Sequence, residues 1–312
     1  MIRFVVRRLL YAIPVILGVA AITLFLFHVA GGDPAAVKLG KNPSPAEVEA
    51  LRQEMGLNGS FFQQYVRYLG QLMTLDFGTS WADDTPVTEI FMRGVGPTLS
   101  MSVPAFLIGA CLSVSLALLV AFRRGTFFDR SVTALAIAGI SISSLIYILV
   151  GQWLLAHHWK LFPIWGYDYG LGAVTFVALP VLIWVLLSVG TDVRYFRTVV
   201  LEEIHQDYVR TARAKGLSER TVLFRHVLRN SAIPIITRLT IIVPFLITGS
   251  FLLEIFFGIP GLGSTLYTAI QNSDLPLVKA FTMLGSILYV AFNLLADLLY
   301  AWADPRIRLN ER

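Results

Sequence analysis

Charged residues are scarce in this chain. They make up 14% of its 312 residues, whereas 56% are hydrophobic. Soluble domains carry about 25% charged residues, so this composition excludes an ordinary soluble fold and predicts a protein that crosses the lipid bilayer several times. The formal net charge of +5 lies mostly beside the apolar runs rather than along one polar face. That distribution is typical of membrane topology, and we expect no nucleic-acid partner.

Cysteine is also scarce, and the usual motifs for nucleotides and metals are missing. Cys111 is the only cysteine, so it can form neither an intrachain disulfide nor a thiolate cluster. The closest approach to a phosphate-binding loop, Gly-Lys-Asn at 40–42, lacks the first glycine and the hydroxyl of the Gly-x4-Gly-Lys-Ser/Thr pattern. His157 and His158 are adjacent and would diverge on a helix. We therefore expect no catalytic residue, no metal and no cofactor on this chain.

Six apolar runs are long enough to span a membrane, since a spanning helix needs about 20 apolar residues. They are Leu9–Ala30, Leu99–Phe122, Val132–Ala156, Ala173–Val193, Ile235–Phe257 and Ala280–Ala303. The first run could also be a cleaved signal peptide, but its length and the absence of a small-residue cleavage site after it favour a retained anchor. An even number of spans places both termini on one side.

The polar segments divide the rest of the chain. Residues 1–30 form the N-terminal segment and first span, and 31–96 form a polar helical region. Residues 97–303 form a five-helix core that contains a basic loop at 194–234, and 304–312 form a tail. Arginine and lysine concentrate in the termini, the 123–130 loop and the 194–234 loop, so the positive-inside rule places these in the cytoplasm and 31–96 outside.

Local signals predict several helix ends in the polar segments. Ser44 and Glu47 form a capping box, Gly56 ends that helix, and another helix begins at Ser60. In the basic loop, Leu201, Ile204, Tyr208 and Ala212 recur at helical spacing up to a left-handed cap at Gly216, after which Ser218 caps the next helix. The loop is predicted to form an elbow of two short helices.

The elbow sequence resembles a known family. Tyr208-Val-Arg-Thr-Ala-Arg-Ala-Lys-Gly216-Leu-Ser, followed by Arg225-His226 and Asn230, looks like the cytoplasmic loop of permease subunits in ATP-binding-cassette importers for dipeptides, oligopeptides and nickel. Many such importers carry Glu-Ala-Ala, three residues and then Gly. Here Arg210, Thr211, Ala212 and Gly216 take these positions, a departure that this peptide/nickel branch shares. The polar region 31–96 also resembles the family at Gly32-Asp33-Pro34, Gly56-Leu57, Gln64-Tyr65, Asp76-Phe77-Gly78-Thr79-Ser80 and Pro97-Thr98-Leu99.

The resemblance implies an all-α polytopic membrane protein with six transmembrane helices in the type I importer permease fold, and the first of the two permease types. It implies a bacterial inner-membrane location, a homologous second permease, two ATPase subunits and an extracytoplasmic substrate-binding protein. ATP and Mg would bind the partner ATPases. The coupling residues that meet an ATPase would be Asp207, Tyr208, Arg210, Thr211, Ala212, Arg213, Ala214, Lys215 and Gly216.

A second set of residues is a candidate for the translocation path or its gate. The segment from Glu254 through Pro260, Gly261 and Gly263 resembles the family's external turn and short re-entrant helix before the last span. Glu254 and Asp297 are acidic residues inside apolar runs, and Asn293 lies one turn from Asp297. A hydrogen bond that fixes helix packing is the alternative role for these acids.

Two substrates and two other classes of protein stay open. Di- or oligopeptides are the leading substrate, with nickel or a metal chelate as the alternative. An ion-coupled secondary transporter would be expected to show internal repeats, and a membrane enzyme would need a nucleophile, a base or a metal constellation. We find neither a convincing repeat nor such a constellation in the sequence.

Overall fold

The computed structural model describes residues 2–30, 33–40, 43–74 and 76–303, and nearly all of them are helical. The predicted all-α fold is confirmed, whereas the 304–312 tail lies outside the described residues. The helices are α1 (Ile2–Ala30), α2 (Pro34–Leu39), α3 (Pro45–Glu54), α4 (Phe61–Thr74), α5 (Val87–Phe122), α6 (Phe127–Ser141), α7 (Ser144–Gly151), α8 (Ala173–Ile204), α9 (Asp207–Ala214), α10 (Glu219–Thr221), α11 (Leu228–Thr248), α12 (Phe251–Phe257), α13 (Leu262–Gln271) and α14 (Leu275–Ala303).

Two stretches of π-helix extend this pattern. Gln152–His158 continues α7, and Val222–Val227 joins α10 to α11. The predicted helix ends in the polar region are confirmed, because Ser44 and Glu47 make a reciprocal capping box and α4 begins directly after Ser60. Gly56 follows α3 with a φ of +66°, the left-handed conformation that favours glycine.

Five helical segments among the described residues are straight, long and apolar enough to cross a bilayer: Leu10–Val29, Val87–Phe122, Gly170–Ile204, Glu219–Thr248 and Leu275–Leu295. Two further pairs of helices are bent, α6 with α7 and its π-helix by 95° and α12 with α13 by 87°, which raises the number to as many as seven if each pair is one span. The six predicted spans lie within this range.

Two of the predicted spans were wrong in detail. Val132–Ala156 is not one straight helix, because Ile142 is extended (φ −89°, ψ 132°) and Ser143 caps a new helix there. Ile235–Phe257 is also interrupted, since α11 ends at Thr248 and Gly249 has a φ of +69°. Both interruptions lie inside runs predicted as single spans, at Ser143-Ser144 and at Gly249-Ser250, which do not end the apolar runs.

The chain divides into two compact units. The first comprises Met1–Thr98, Ile247–Glu254 and Pro260–Leu294, and the second comprises Leu99–Leu246, Ile255–Ile259 and Leu295–Arg312. The core of the first unit joins α1, α4, α13 and α14 through buried side chains such as Ala20, Tyr68, Leu262 and Phe281. The division predicted from topology, at residues 30, 96 and 303, stays a prediction.

A tight loop between α4 and α5 is held to α14 in the first unit. Phe77 is buried in the core and Gly78 turns the chain with a φ of +72°. The buried carboxylate of Asp274 accepts hydrogen bonds from the Ser80 hydroxyl, from the backbone N–H of Trp81 at 3.1 Å and from that of Leu277 at 3.3 Å. The last contact also caps α14.

Ion pairs brace the helices of the second unit. Arg197 on α8 donates from Nε and Nη2 to the carboxylate of Asp129 in the first turn of α6, at 2.9 and 3.1 Å. Asp129 also accepts from the backbone N–H of Gly125 at 2.9 Å. The Asp129 side chain is only 7% exposed. The two hydrogen bonds from Arg197 therefore replace most of the hydrogen bonds to water that the carboxylate loses when it is buried.

We predict that Arg197→Met will lower the free energy of unfolding by about 2–3 kcal/mol, because it leaves a buried carboxylate without its cation. Arg197→Lys should recover part of this loss. Thermal unfolding of the detergent-purified chain measures the effect. Arg93→Met is the matched control, since Arg93 pairs with Glu89 on an exposed helix surface and should change stability by no more than about 0.5 kcal/mol. Equal losses at both positions would contradict the bracing role of Arg197.

Candidate functional site

The predicted coupling residues form a short helix, α9, with defined ends. Gln206 precedes it in extended conformation (φ −70°, ψ 151°), and Asp207 lies in its first turn, where a negative charge is favourable. At the other end Gly216 has a φ of +76°. Its N–H donates to Arg213 O at 2.9 Å, and the Leu217 N–H donates to Ala212 O at 3.4 Å, the two bonds of a Schellman cap.

The left-handed cap predicted at Gly216 is therefore confirmed, and so is the cap predicted at Ser218. The Ser218 side chain accepts a hydrogen bond from the Thr221 backbone N–H, at the start of α10. No atom lies within 4 Å of the position that a Cβ on Gly216 would take. Glycine is thus favoured there by backbone conformation alone and not by lack of space.

The buried side of α9 packs into a cluster that contains three other segments of the second unit. Val209 is fully buried and Ala212 is 5% exposed. Their cluster includes Leu118 and Ala121 near the end of α5, Val200 of α8, and Val222, Leu223 and Val227 of the π-helix that leads into α11. Burying a valine side chain contributes about 1.5–3 kcal/mol. We call this cluster the seat of α9.

The other side of α9 is exposed and mostly polar. Asp207, Arg210, Thr211, Arg213, Ala214, Lys215 and Gly216 are all exposed. The Arg213 guanidinium donates two hydrogen bonds to the carboxylate oxygens of Glu219, at 2.7 and 3.0 Å, and this ion pair neutralises its charge. Arg210 is 75% exposed and meets only Asp207, at 3.5 Å, which contributes little to stability. Arg210 and Lys215 are therefore the cations that this surface presents to solvent.

Tyr208 connects the start of α9 to the end of α8 through a hydrogen bond. Its hydroxyl donates to the carboxylate of Glu203. Burial and the hydrogen bond to Glu203 raise the pKa of Tyr208 to about 12, so the phenol keeps its proton and remains a donor throughout the physiological range.

One helix predicted from Leu201 to Gly216 was wrong. The chain breaks between α8 and α9 at His205 and Gln206, and the imidazole of His205 contacts Leu201 O at 2.6 Å and Arg124 at 2.8 Å. The break has no glycine or proline. The apolar residues of both helices still meet in the seat.

The second candidate set centres on Glu254, which is fully buried in the first unit. Its carboxylate accepts a hydrogen bond from the Thr98 hydroxyl at 2.8 Å and from the Ser264 backbone N–H at 2.7 Å. The Thr98 hydroxyl also accepts from the Leu262 N–H at 2.8 Å. The carboxylate therefore joins the first turn of α13 to Thr98, and these hydrogen bonds satisfy a buried acid.

Glycines make room for this carboxylate. A Cβ on Gly249 or Gly261 would lie 2.2 or 2.4 Å from carboxylate atoms of Glu254. A Cβ on Gly263 would lie 2.9 Å from the backbone of Phe251 and 3.0 Å from Glu254 Oε2. The glycine-rich pattern after Glu254 thus follows from the close approach of α13 to a buried acid. Pro260 is exposed beside it.

Asn293, a further residue of this set, does not join Glu254 in the described structure. The carboxamide of Asn293 donates to the backbone carbonyl of Tyr289 on its own helix, at 2.8 Å. The side chain of Asp297 lies outside the described part of the structure. The role of all six candidates in a path or gate stays a prediction.

An ionic contact inside the apolar runs was missed from the sequence. Arg238 of α11 contacts Asp192 of α8 at 3.4 Å, and the Asp192 side chain is 7% exposed. Arg238 also lies over the ring of Tyr195, 5.8 Å from its centroid. The sequence did contain a signal for this ion pair, because Asp192 and Arg238 both fall within predicted spans, where a charged side chain needs a partner.

Comparison with known proteins shows similarity along the whole chain. Residues 113–309 match the model of the family described as "Binding-protein-dependent transport system inner membrane component", and residues 1–102 match its N-terminal counterpart. The chain is 32% identical to the dipeptide transport system permease protein DppB of Escherichia coli (strain K12), over 99% of both chains. It is 32% identical to the oligopeptide transport system permease protein AppB of Bacillus subtilis (strain 168), over 97% of this chain and 98% of AppB. A Brucella abortus (strain 2308) protein, provisionally named a peptide transport system permease, is 36% identical over 98% of this chain and 99% of its own length.

We predict that Gly216→Val will loosen the end of α9, because a β-branched residue at this φ costs about 1–2 kcal/mol. Trypsin cleavage after Lys215 should become about tenfold faster under native conditions. Gly216→Asn should show a smaller increase, since asparagine tolerates the left-handed region. Gly70→Val on α4 is the control, because its Cβ would also meet open space but its φ is ordinary. Equal cleavage of both Gly216 variants and wild type would refute the cap.

We also predict that Gly263→Ala will destabilise the chain by about 2 kcal/mol, because its Cβ would press on the backbone of Phe251. The midpoint of thermal unfolding in detergent measures this. Gly96→Ala, where nothing lies within 4 Å of the new Cβ, should leave the midpoint unchanged or raise it. A Gly263→Ala variant as stable as Gly96→Ala would contradict the packing around Glu254.

Proposed function

This chain belongs to the family of binding-protein-dependent transport system inner membrane components, and we propose that it forms half of the translocation path of an ATP-driven peptide importer. Family models match both parts of the chain, and the relatives that align over nearly its whole length are named as permeases for dipeptides and oligopeptides. The chain is a permease subunit and not itself a catalytic one. Peptide is the substrate class that these names support.

The observation that carries the mechanism is the seat of α9. A helix with an exposed polar surface is packed by its other side against residues of α5, α8 and the start of α11, all in the second unit. A force on α9 is therefore transmitted to three long apolar helices together. In our proposal α9 is the coupling helix, and it docks on a cytosolic ATPase subunit that is a separate chain.

The charges of α9 support a docking role. Val209 and Ala212 pack in the seat, and Arg213 pairs with Glu219. Arg210 and Lys215 remain as exposed cations, beside the exposed Leu217. An exposed ion pair contributes little to folding, so these cations are better suited to a partner than to stability. An acidic groove with an apolar floor would complement them.

The transport cycle follows from this connection. ATP binding draws two ATPase subunits together, and each moves the coupling helix that it holds. Because the chain braces α8 to α6 through Arg197 and Asp129, and α8 to α11 through Arg238 and Asp192, the displacement of α9 tilts these helices as a group. The two forms of the pathway open to opposite sides, and nucleotide shifts their populations because it favours one of them.

The proposed assembly contains a homologous second permease, two ATPase subunits and an extracytoplasmic substrate-binding protein. The arginine-rich termini and 194–234 loop lie in the cytoplasm in this scheme, as the positive-inside rule predicts. That placement puts α9 on the side where ATP is hydrolysed. Residues around Glu254 fix the bend between α12 and α13, which we propose to line the outer end of the pathway.

We predict that Arg210→Glu combined with Lys215→Glu will reduce recovery of the ATPase subunits with the tagged chain, and peptide uptake, by at least about tenfold. The chain itself should insert and unfold as wild type does, because both side chains are exposed. Co-purification in mild detergent and uptake of a radiolabelled dipeptide measure the two effects.

The control is Arg130→Glu, an exposed charge reversal on α6 that is also predicted to be cytoplasmic. It should retain both activities. Loss of uptake with undiminished ATPase binding would overturn the docking role of these two cations. Uptake by the purified chain alone, driven by an ion gradient, would overturn the importer mechanism.

A further inference from the structure

A cavity of about 170 Å³ in the first unit is not used by the transport mechanism. It is walled by the turn that follows α3, one side of α4, the loop that follows α4 and the first turns of α14. Its lining residues are Met55, Gly56, Leu57, Gln64, Arg67, Tyr68, Gln71, Phe77, Gly78, Thr79, Trp81, Leu275, Pro276 and Lys279. A water molecule takes about 30 Å³ of liquid, so the cavity has room for roughly five waters or for one carboxylate or phosphate group.

The charged side chains that line this cavity are both positive. Arg67 and Lys279 both reach the cavity, and none of the described residues that line it is acidic. Three acids adjoin the lining in sequence but are not part of it: Glu54 is exposed, Asp76 accepts from the backbone N–H of Gly78 at 3.1 Å, and Asp274 accepts from the loop at Ser80 and Trp81. Two cations without a facing carboxylate make the cavity electropositive.

The donors of the lining are mostly unused. The ammonium group of Lys279 lies 5.1 Å from the centre of the Tyr68 ring, and no ion pair or hydrogen bond joins that side chain to another described residue. The same holds for the carboxamide of Gln71 and the indole N–H of Trp81. Donors that converge on a space with no acceptor fit an oxyanion, which accepts several hydrogen bonds at once.

Arg67 is held in place by the backbone of the turn that follows α3. Its Nη1 donates to Gly56 O at 3.1 Å, and a Cβ on Gly56 would lie 2.2 Å from that nitrogen. Gln64, one turn earlier on α4, donates to the carbonyls of Leu57 and Gly59 at 2.9 and 3.0 Å. Gly56, Leu57 and Gln64, which the coupling mechanism leaves unexplained, thus build one wall of the cavity, and Gly56 orients its arginine.

We propose that this cavity is a binding site for a single oxyanion group, a carboxylate or a phosphate, held by Lys279 and Arg67 with hydrogen bonds from Gln71 and Trp81. Tyr68 and Phe77, which line the cavity, are both buried, and charge interactions are stronger beside buried apolar groups than in water. The group can belong to a soluble anion or to a lipid headgroup. This site does not depend on the transport function.

The test uses the full chain, delipidated in mild detergent at pH 7, and equilibrium dialysis with radiolabelled inorganic phosphate and, separately, acetate. Wild type should bind at least one of the two at a single site. Lys279→Gln should weaken binding about tenfold, whereas Lys279→Arg should retain it within about threefold. Gln71→Leu should give a smaller loss. Lys38→Gln is the matched control, because Lys38 pairs with Asp84 away from this cavity and should leave binding unchanged.

A second arm separates the two sources of the group. Dihexanoylphosphatidylglycerol should displace the bound anion if a lipid headgroup fits the site, whereas dihexanoylglycerol, which lacks the phosphate, should not. Failure of both lipids to displace it would assign the site to a soluble anion. Absence of binding for both anions, or equal weakening by Lys279→Gln and Lys38→Gln in variants with unchanged helical content, would overturn the proposal.

Discussion

The burial of one side of α9 is the interaction on which the proposed mechanism depends. Val209 and Ala212 are small and apolar, so the helix sits close to α5 and α8, and the short π-helical stretch before α11 completes the seat. A helix of this length is not stable alone in water, because helix nucleation is unfavourable. Packing therefore gives α9 its structure, and the same packing joins its position to the long helices that cross the membrane.

Buried carboxylates form a second constraint, because each needs donors before it can leave water. Glu254 accepts hydrogen bonds from a hydroxyl and a backbone N–H group, and Asp129 accepts them from a guanidinium. Asp274 accepts them from N–H groups of a loop and of the start of α14. The glycines near Glu254 follow from this need, since a Cβ at Gly261 or Gly263 would displace the carboxylate or the chain beside it. Within each unit, these acids fix bends and helix starts that apolar packing alone would leave undetermined.

Local signals in the sequence were enough for the ends of several helices. The capping box at Ser44, the left-handed glycine at Gly216 and the cap at Ser218 were predicted because each depends on neighbours within a few residues. Interruptions within apolar sequence were not predicted. The breaks at Ile142, Gly249 and His205 lie where the backbone changes conformation, and hydropathy does not encode such changes.

The partners of the candidate residues were not predicted from the sequence, because they lie far away along the chain. Glu254 was recognised as a buried acid, but its bond to Thr98 joins residues 156 positions apart. The pairing of Asp192 with Arg238 was missed although both charges lie in apolar runs. The family resemblance in the basic loop identified which residues of α9 to consider, and the structure separates those that face the seat from those exposed to a partner.

The most direct test of the account places a cross-linker on α9 within the assembled transporter. Cys111 is the only cysteine of this chain, so Cys111→Ser leaves the chain without a thiol, and Arg210→Cys or Arg130→Cys can be introduced one at a time and labelled on the purified chain before assembly. The account predicts that a short thiol-specific photo-cross-linker at position 210 will join the chain to an ATPase subunit, with a yield that changes when ATP binds, and that position 130 will give little product. Equal yields at the two positions, or no ATPase product from position 210 in a complex that still transports peptide, would contradict the claim that α9 transmits the force of ATP binding.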